Sequence, residues 1–96
     1  MLEPRRTAEY DCWIRMLRDI QAKARVHARI RRLTQGNPGQ HRVLTGGIIE
    51  LKFDGGPGYR VHCTKRGNTI IILLCGGNKA SQQTDISRAL ALAINL

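Results

Sequence analysis

Between Ile48 and Cys75 apolar residues recur at alternate positions, and turn-forming residues break the pattern twice. A chain written this way builds a hairpinned β-sheet, because successive strand side chains point to opposite faces. Ile49, Leu51 and Phe53 alternate with Ile48, Glu50, Lys52 and Asp54, which predicts a strand with one buried face. Gly55-Gly56-Pro57-Gly58 then forces a turn. Tyr59, Val61 and Cys63 alternate with Arg60, His62 and Thr64 in a second strand, and Arg66-Gly67-Asn68 turns the chain again. Thr69 to Cys75 is apolar on both faces, so this third strand is expected to lie centrally, covered on both sides.

Around this meander the period changes to that of helices. Thr7 is placed to cap a first helix in which Tyr10, Trp13, Leu17 and Ile20 recur at helical spacing. A second helix is predicted from Gln21 to Leu33, with Ala22, Val26, Ile30 and Leu33 as its apolar stripe. Gly36-Asn37-Pro38-Gly39 ends it and opens a loop. After Gly76-Gly77-Asn78, Ile86, Ala89, Leu90 and Ala93 mark the buried stripe of a last helix. The residues before Thr7 leave room for a short strand. The order gives an α+β fold: two N-terminal helices, an antiparallel meander of three to four strands, and a C-terminal helix. With 96 residues and no internal repeat, a single domain over 1–96 is expected.

Charge narrows the function classes. Sixteen Lys and Arg face seven Asp and Glu, a net +9, which directs attention to anionic partners such as nucleic acid or an acidic protein. The longest apolar run, Ile70 to Cys75, is far too short to span a bilayer, and no apolar stretch follows the N-terminal arginines. Cys12, Cys63 and Cys75 are odd in number and form no CxxC pair, so a cytoplasmic location is expected. These cysteines and His27, His41 and His62 lack metal-site spacing, and no metal or cofactor is expected. Cys63 and Cys75 read as core thiols, and Trp13 as a core residue under the sheet. Gly55–Gly58 lacks the Gly-Lys-Ser/Thr ending of a Walker loop.

Strand parity brings chemistry together. With Leu51, Phe53, Tyr59 and Val61 inward, Glu50, Lys52, Arg60 and His62 share the opposite face, and Lys79 follows the glycine break at the end of the next strand. Arginine and lysine there suit a phosphodiester, and a nearby His, Glu or Lys can move protons. The same pattern also fits a solvated sheet face with cross-strand ion pairs. Lys23, Arg25, Arg29, Arg31 and Arg32 line the polar side of the second helix; they fit either a phosphate backbone such as ribosomal RNA or a solubilising surface.

Four segments in order carry a family likeness: Ala22–Leu33, Glu50-Leu51-Lys52, Gly56-Pro57-Gly58-Tyr59-Arg60-Val61 and Leu73-Leu74-Cys75-Gly76-Gly77-Asn78-Lys79. From about Glu9 to Ala93 the chain resembles the HigB-like addiction-module killer branch of the RelE/ParE toxins. The resemblance implies a type II toxin neutralised by a cognate antitoxin, with a helix-turn-helix DNA-binding domain, in a toxin–antitoxin hetero-oligomer. It implies an endoribonuclease that cleaves mRNA on the ribosome, with the RNA 2′-hydroxyl as nucleophile and no metal. By position, Arg60 matches the arginine that contacts the scissile phosphate, Lys52 lies in the strand that supplies lysines, and Lys79 matches the basic residue after the last strand. The chain departs from the pattern in Ala80–Ile86, which holds neither Tyr nor His, and at Gly55, where relatives carry Tyr. His62 and Glu50 are the substitutes for proton transfer on the Arg60 face. Two other readings stay open: a non-enzymatic ParE-like gyrase poison, and a binding-only module with decayed toxicity.

Overall fold

Thr7 fixes the entry into the first helix. Its hydroxyl accepts from the Tyr10 N–H at 3.0 Å and donates to the Leu74 carbonyl at 2.6 Å, so the cap also ties the helix to the sheet. The computed structural model describes residues 1–96, and helix α1 runs Ala8–Met16. The expected stripe through Ile20 does not continue. Leu17 leaves helical space, and Asp19 caps a new helix by accepting from the Ala22 N–H at 3.0 Å. Ile20 therefore opens helix α2 (Ile20–Thr34) as an exposed residue, while Leu17 still packs on the core.

Five strands form one sheet: β1 (Glu3–Arg6), β2 (His41–Val43), β3 (Ile48–Lys52), β4 (Arg60–Arg66) and β5 (Ile70–Gly77), in the order β1-β5-β4-β3-β2. The three patterned strands pair antiparallel as expected. The sheet as a whole is mixed, because β1 runs parallel to β5, and β2 adds an antiparallel edge strand to β3. This corrects the purely antiparallel meander. Every side chain of β1 and β2 is exposed, so neither carries an apolar alternation; backbone pairing, not apolar burial, places them in the sheet.

Helices α1 and α2 cover one face of the sheet. Tyr10, Ile14, Val26, Ile30 and Leu33 pack there on Leu51, Phe53, Val61, Cys63, Ile71 and Leu73. Full burial of a side chain such as Val26 or Leu33 contributes roughly 1.5–3 kcal/mol. A smaller cluster of Ile48, Leu74, Cys75 and Ala89 lies under helix α3 (Gln82–Ile94). β5 is thus covered on both sides.

A bulge adjusts this strand. His62 pairs with Cys75 but Cys63 pairs with Leu73, leaving Leu74 extra. Consecutive residues Leu74 and Cys75 therefore join the same cluster. Beyond the bulge, a Cβ on Gly76 would collide with the Trp13 indole, and one on Gly77 with the Asp85 carboxylate and Ser81 hydroxyl. The glycine pair thus lets α1 and the start of α3 close on the sheet.

Candidate functional site

The β3–β4 register sets Glu50 opposite His62 and Lys52 opposite Arg60, so the four side chains share the α3 side of the sheet. β2 adds Arg42 opposite Glu50. Together with the first turn of α3 these strands enclose a pocket of about 410 Å³. Gln40, His41, Arg42, Glu50, Lys52, Arg60 and Gln82 line it, with no apolar side chain among them.

Glu50 is the hub. It is 1% exposed, yet it makes contacts on both carboxylate oxygens. Oε1 accepts from Arg42 Nε at 2.7 Å and lies 4.0 Å from Arg60 Nε. Oε2 accepts from His62 Nε2 at 2.9 Å and from Gln82 Nε2 at 3.1 Å. Burial works to raise the carboxyl pKa, but the hydrogen bonds from Arg42, His62 and Gln82 outweigh it and bring the value down to about 2. Glu50 is therefore a fixed negative charge and too weak a base to take a proton at neutral pH.

Arg60 is 6% exposed and opens onto the same pocket. Its Nη1 donates to the Gly58 carbonyl at 2.8 Å, while Nε is buried without a hydrogen-bond partner. Gly58 sits at φ +70°, and a Cβ there would press on Lys79 Cβ at 3.3 Å and Arg60 Nη1 at 3.4 Å. A glycine before Tyr59 is thus what lets the guanidinium fold back over the turn. Lys52 is exposed at the pocket wall. Lys79 lies beside the turn instead of in the pocket: its N–H donates to the Pro57 carbonyl at 3.1 Å and its side chain is exposed.

His62 occupies a different place from the one expected for a proton donor. It is fully buried behind Glu50, and its Nδ1 has no partner. The face expected to be solvated is in fact closed at positions 48, 50 and 62, because α3 packs over that end of the strands. His62 supports the carboxylate from behind and does not reach the pocket.

The basic side of α2 is not one surface. Arg29 is 9% exposed. Its guanidinium donates to the carbonyls of Pro38, Gln40 and Lys52 and lies 4.6 Å from the Phe53 ring centroid. Burial lowers its pKa, but a guanidinium remains charged. Arg29 thus locks the loop after α2 onto β3, which corrects its assignment to an RNA-facing row. Arg25 donates to the Asp54 carbonyl at 3.2 Å and shares a shallow groove with Arg32. Lys23 lines a separate groove between α1 and α2 with Arg6, Asp11, Arg15 and His27, and Arg31 is exposed.

Sequence reasoning missed Arg42, Gln40, Gln82 and His41 at the pocket. His41 has the parity of Leu51, and its Nδ1 lies 2.8 Å from the Gly39 carbonyl oxygen. Only the pairing of β2 brings Arg42 to Glu50, and a three-residue exposed strand leaves no periodic signal. No three His, Cys, Asp or Glu side chains gather where they could hold a metal. Burial pushes the Cys63 and Cys75 thiols up to about 12, which makes both inert core groups. Trp13 packs between Tyr10 and Tyr59, partly buried.

Fold and site together define a small basic α+β protein with a wholly polar, cation-rich pocket on one face of a mixed sheet. No helix is long and apolar enough to cross a membrane. The chain belongs to the family described as Phage derived protein Gp49-like (DUF891), which matches residues 13–95. It is 43% identical over 90 residues to an "Uncharacterized protein" of Haemophilus influenzae, covering 94% of this chain and 91% of that one. No solved structure matches.

Proposed function

We propose that this protein is the toxin of a type II toxin–antitoxin system and that it cleaves mRNA on the ribosome, without a metal, by attack of the RNA 2′-hydroxyl. The observation that carries the reading is the polar pocket in which Arg60 and Lys52 face each other across the β3–β4 pair beside a buried, ionised Glu50. Membership of the Gp49-like family supports a toxin-like role. In this reading Arg60 holds the scissile phosphate while the 2′-oxygen attacks phosphorus and the P–O5′ bond breaks, leaving a 2′,3′-cyclic phosphate. Water at the exposed Lys52 side of the pocket takes the 2′ proton and protonates the departing 5′-oxygen, and Lys52 offsets the charge that builds on the phosphate. Lys79 braces the β3–β4 turn through its backbone N–H on the Pro57 carbonyl. The acceleration rests on positioning and charge stabilisation. Lys23, Arg25, Arg31 and Arg32 contact ribosomal RNA. A cognate helix-turn-helix antitoxin covers the toxin in a hetero-oligomer, in the cytoplasm.

Arg60→Ala is expected to abolish growth arrest and to lower mRNA cleavage by about 10²–10³-fold, the usual loss when a transition-state charge partner is removed. Pulse labelling after induction, with primer extension for new mRNA ends, measures this; undiminished cleavage in a folded Arg60→Ala protein discards the assignment. One observation favours a second reading as a non-enzymatic gyrase poison. Glu50 and His62, the expected proton-transfer pair, are buried and bonded to each other. In that case DNA breaks and an SOS response precede any loss of translation, and no new mRNA ends form.

A further inference from the structure

We propose that Arg42 is a second phosphate-binding residue of this pocket, and that Glu50 positions it together with Arg60, so that the site grips two neighbouring phosphates of one RNA strand. The inference rests on the RNA reading above and extends it to a residue on the edge strand β2.

The two guanidinium groups converge on one oxygen. Arg42 Nε donates to Glu50 Oε1 at 2.7 Å, and Arg60 Nε lies 4.0 Å from the same atom. Arg42 spends only its Nε there. Its terminal nitrogens make no hydrogen bond within the protein, and its side chain is 57% exposed at the pocket mouth. Arg60 is held at the other end, by Nη1 on the Gly58 carbonyl, and its buried Nε is turned toward Glu50, which leaves Nη2 for the pocket. Arg42 thus offers its terminal nitrogens to an anion as a pair, and Arg60 offers the Nη2 that neither Gly58 nor Glu50 engages.

Charge and size point the same way. Arg42, Lys52 and Arg60 against Glu50 leave a surplus of two positive charges in the lining, which two phosphodiesters neutralise and one does not. A pocket of about 410 Å³ without apolar lining suits a sugar–phosphate backbone better than a stacked base, which takes an aromatic or apolar wall. Glu50 carries no proton in this scheme. It orders two like-charged groups that would otherwise repel.

The test is binding of a fully 2′-O-methylated, single-stranded RNA decamer, which cannot be cleaved, to the intact chain over a range of salt concentrations. Arg42→Gln keeps an amide N–H for Glu50, so the buried carboxylate stays satisfied. Arg42→Gln and Arg60→Gln are each expected to weaken binding by about tenfold or more and to reduce the salt slope by about 0.7, the value for one lost contact on a single strand. Glu50→Gln makes the pocket more positive, so bulk electrostatics alone would tighten binding; lost positioning weakens it, and weakening is the expected result. Unchanged binding in Arg42→Gln beside a loss in Arg60→Gln overturns the two-phosphate clamp and leaves the RNA site intact. Tighter binding in Glu50→Gln overturns the positioning role. No loss in Arg60→Gln, or no binding of the free RNA by the native chain at any salt, overturns this inference; the ribosome-dependent reading is judged separately, by mRNA cleavage in Arg60→Ala.

Discussion

Glu50 shows how one buried charge can organise a polar site. Its folded-state pKa of about 2 lies below the ordinary value of 4.5, so ionised Glu50 stabilises the fold. The sign follows from linkage: the contribution is complete above the unfolded-state pKa, declines as pH falls below it, and vanishes below about 2. Its size is on the order of 3 kcal/mol. Urea denaturation across pH is the measurement. Glu50→Gln is expected to be less stable than the native chain at pH 7 by about that amount, with the gap closing between pH 4.5 and pH 2. A gap that stays constant with pH rejects the pKa-linked account. Arg29 is a contrasting residue: it is just as cationic on paper, but its donors go to three backbone carbonyls, so its charge serves the loop between α2 and β2.

Among the elements, β5 bears the tightest constraints. It pairs on both edges, is packed on both faces, and carries a bulge that resets its parity just before Gly76-Gly77. The two glycines meet different helices, Gly76 the α1 indole and Gly77 the first turn of α3. Gly77→Ala is expected to destabilise the protein by about 1–3 kcal/mol, the usual range for overpacking. It also pushes back the α3 turn that carries Gln82, so the hydrogen bond from Gln82 to Glu50 is lost with it. Thermal denaturation reads the first effect. A variant as stable as the native chain rejects the close packing of α3 on the strand.

The molecule is closed by its least patterned part. β1 docks parallel to β5, with the Leu2 N–H on the Thr34 carbonyl at 2.8 Å and the Glu3 N–H on the Thr69 carbonyl at 2.6 Å. It covers an otherwise open edge of an apolar strand. Deleting residues 1–6 should expose that edge and produce aggregation, visible by size-exclusion chromatography. A soluble monomer after the deletion argues that the β1 pairing is dispensable. The family match begins at Trp13, after this strand.

Local periodicity determined most of the framework. Alternation in Ile49–Phe53 and Tyr59–Thr64, with the glycine turns between them, marked two strands and placed Glu50, Lys52, Arg60 and His62 on one face; the apolar run Thr69–Cys75 marked a third, and helical spacing located α2 to within about a turn and the α3 segment after Gly76-Gly77-Asn78. These are properties of neighbouring residues, which the chain carries by itself. Whether that polar face is wet or dry is another matter. The packing of α3 buries Glu50 and His62, the edge pairing of β2 delivers Arg42, and the loop after α2 claims Arg29. Each of these depends on contacts between segments far apart in the chain. Backbone hydrogen bonds and burial, which leave no mark in the order of the residues, decide them.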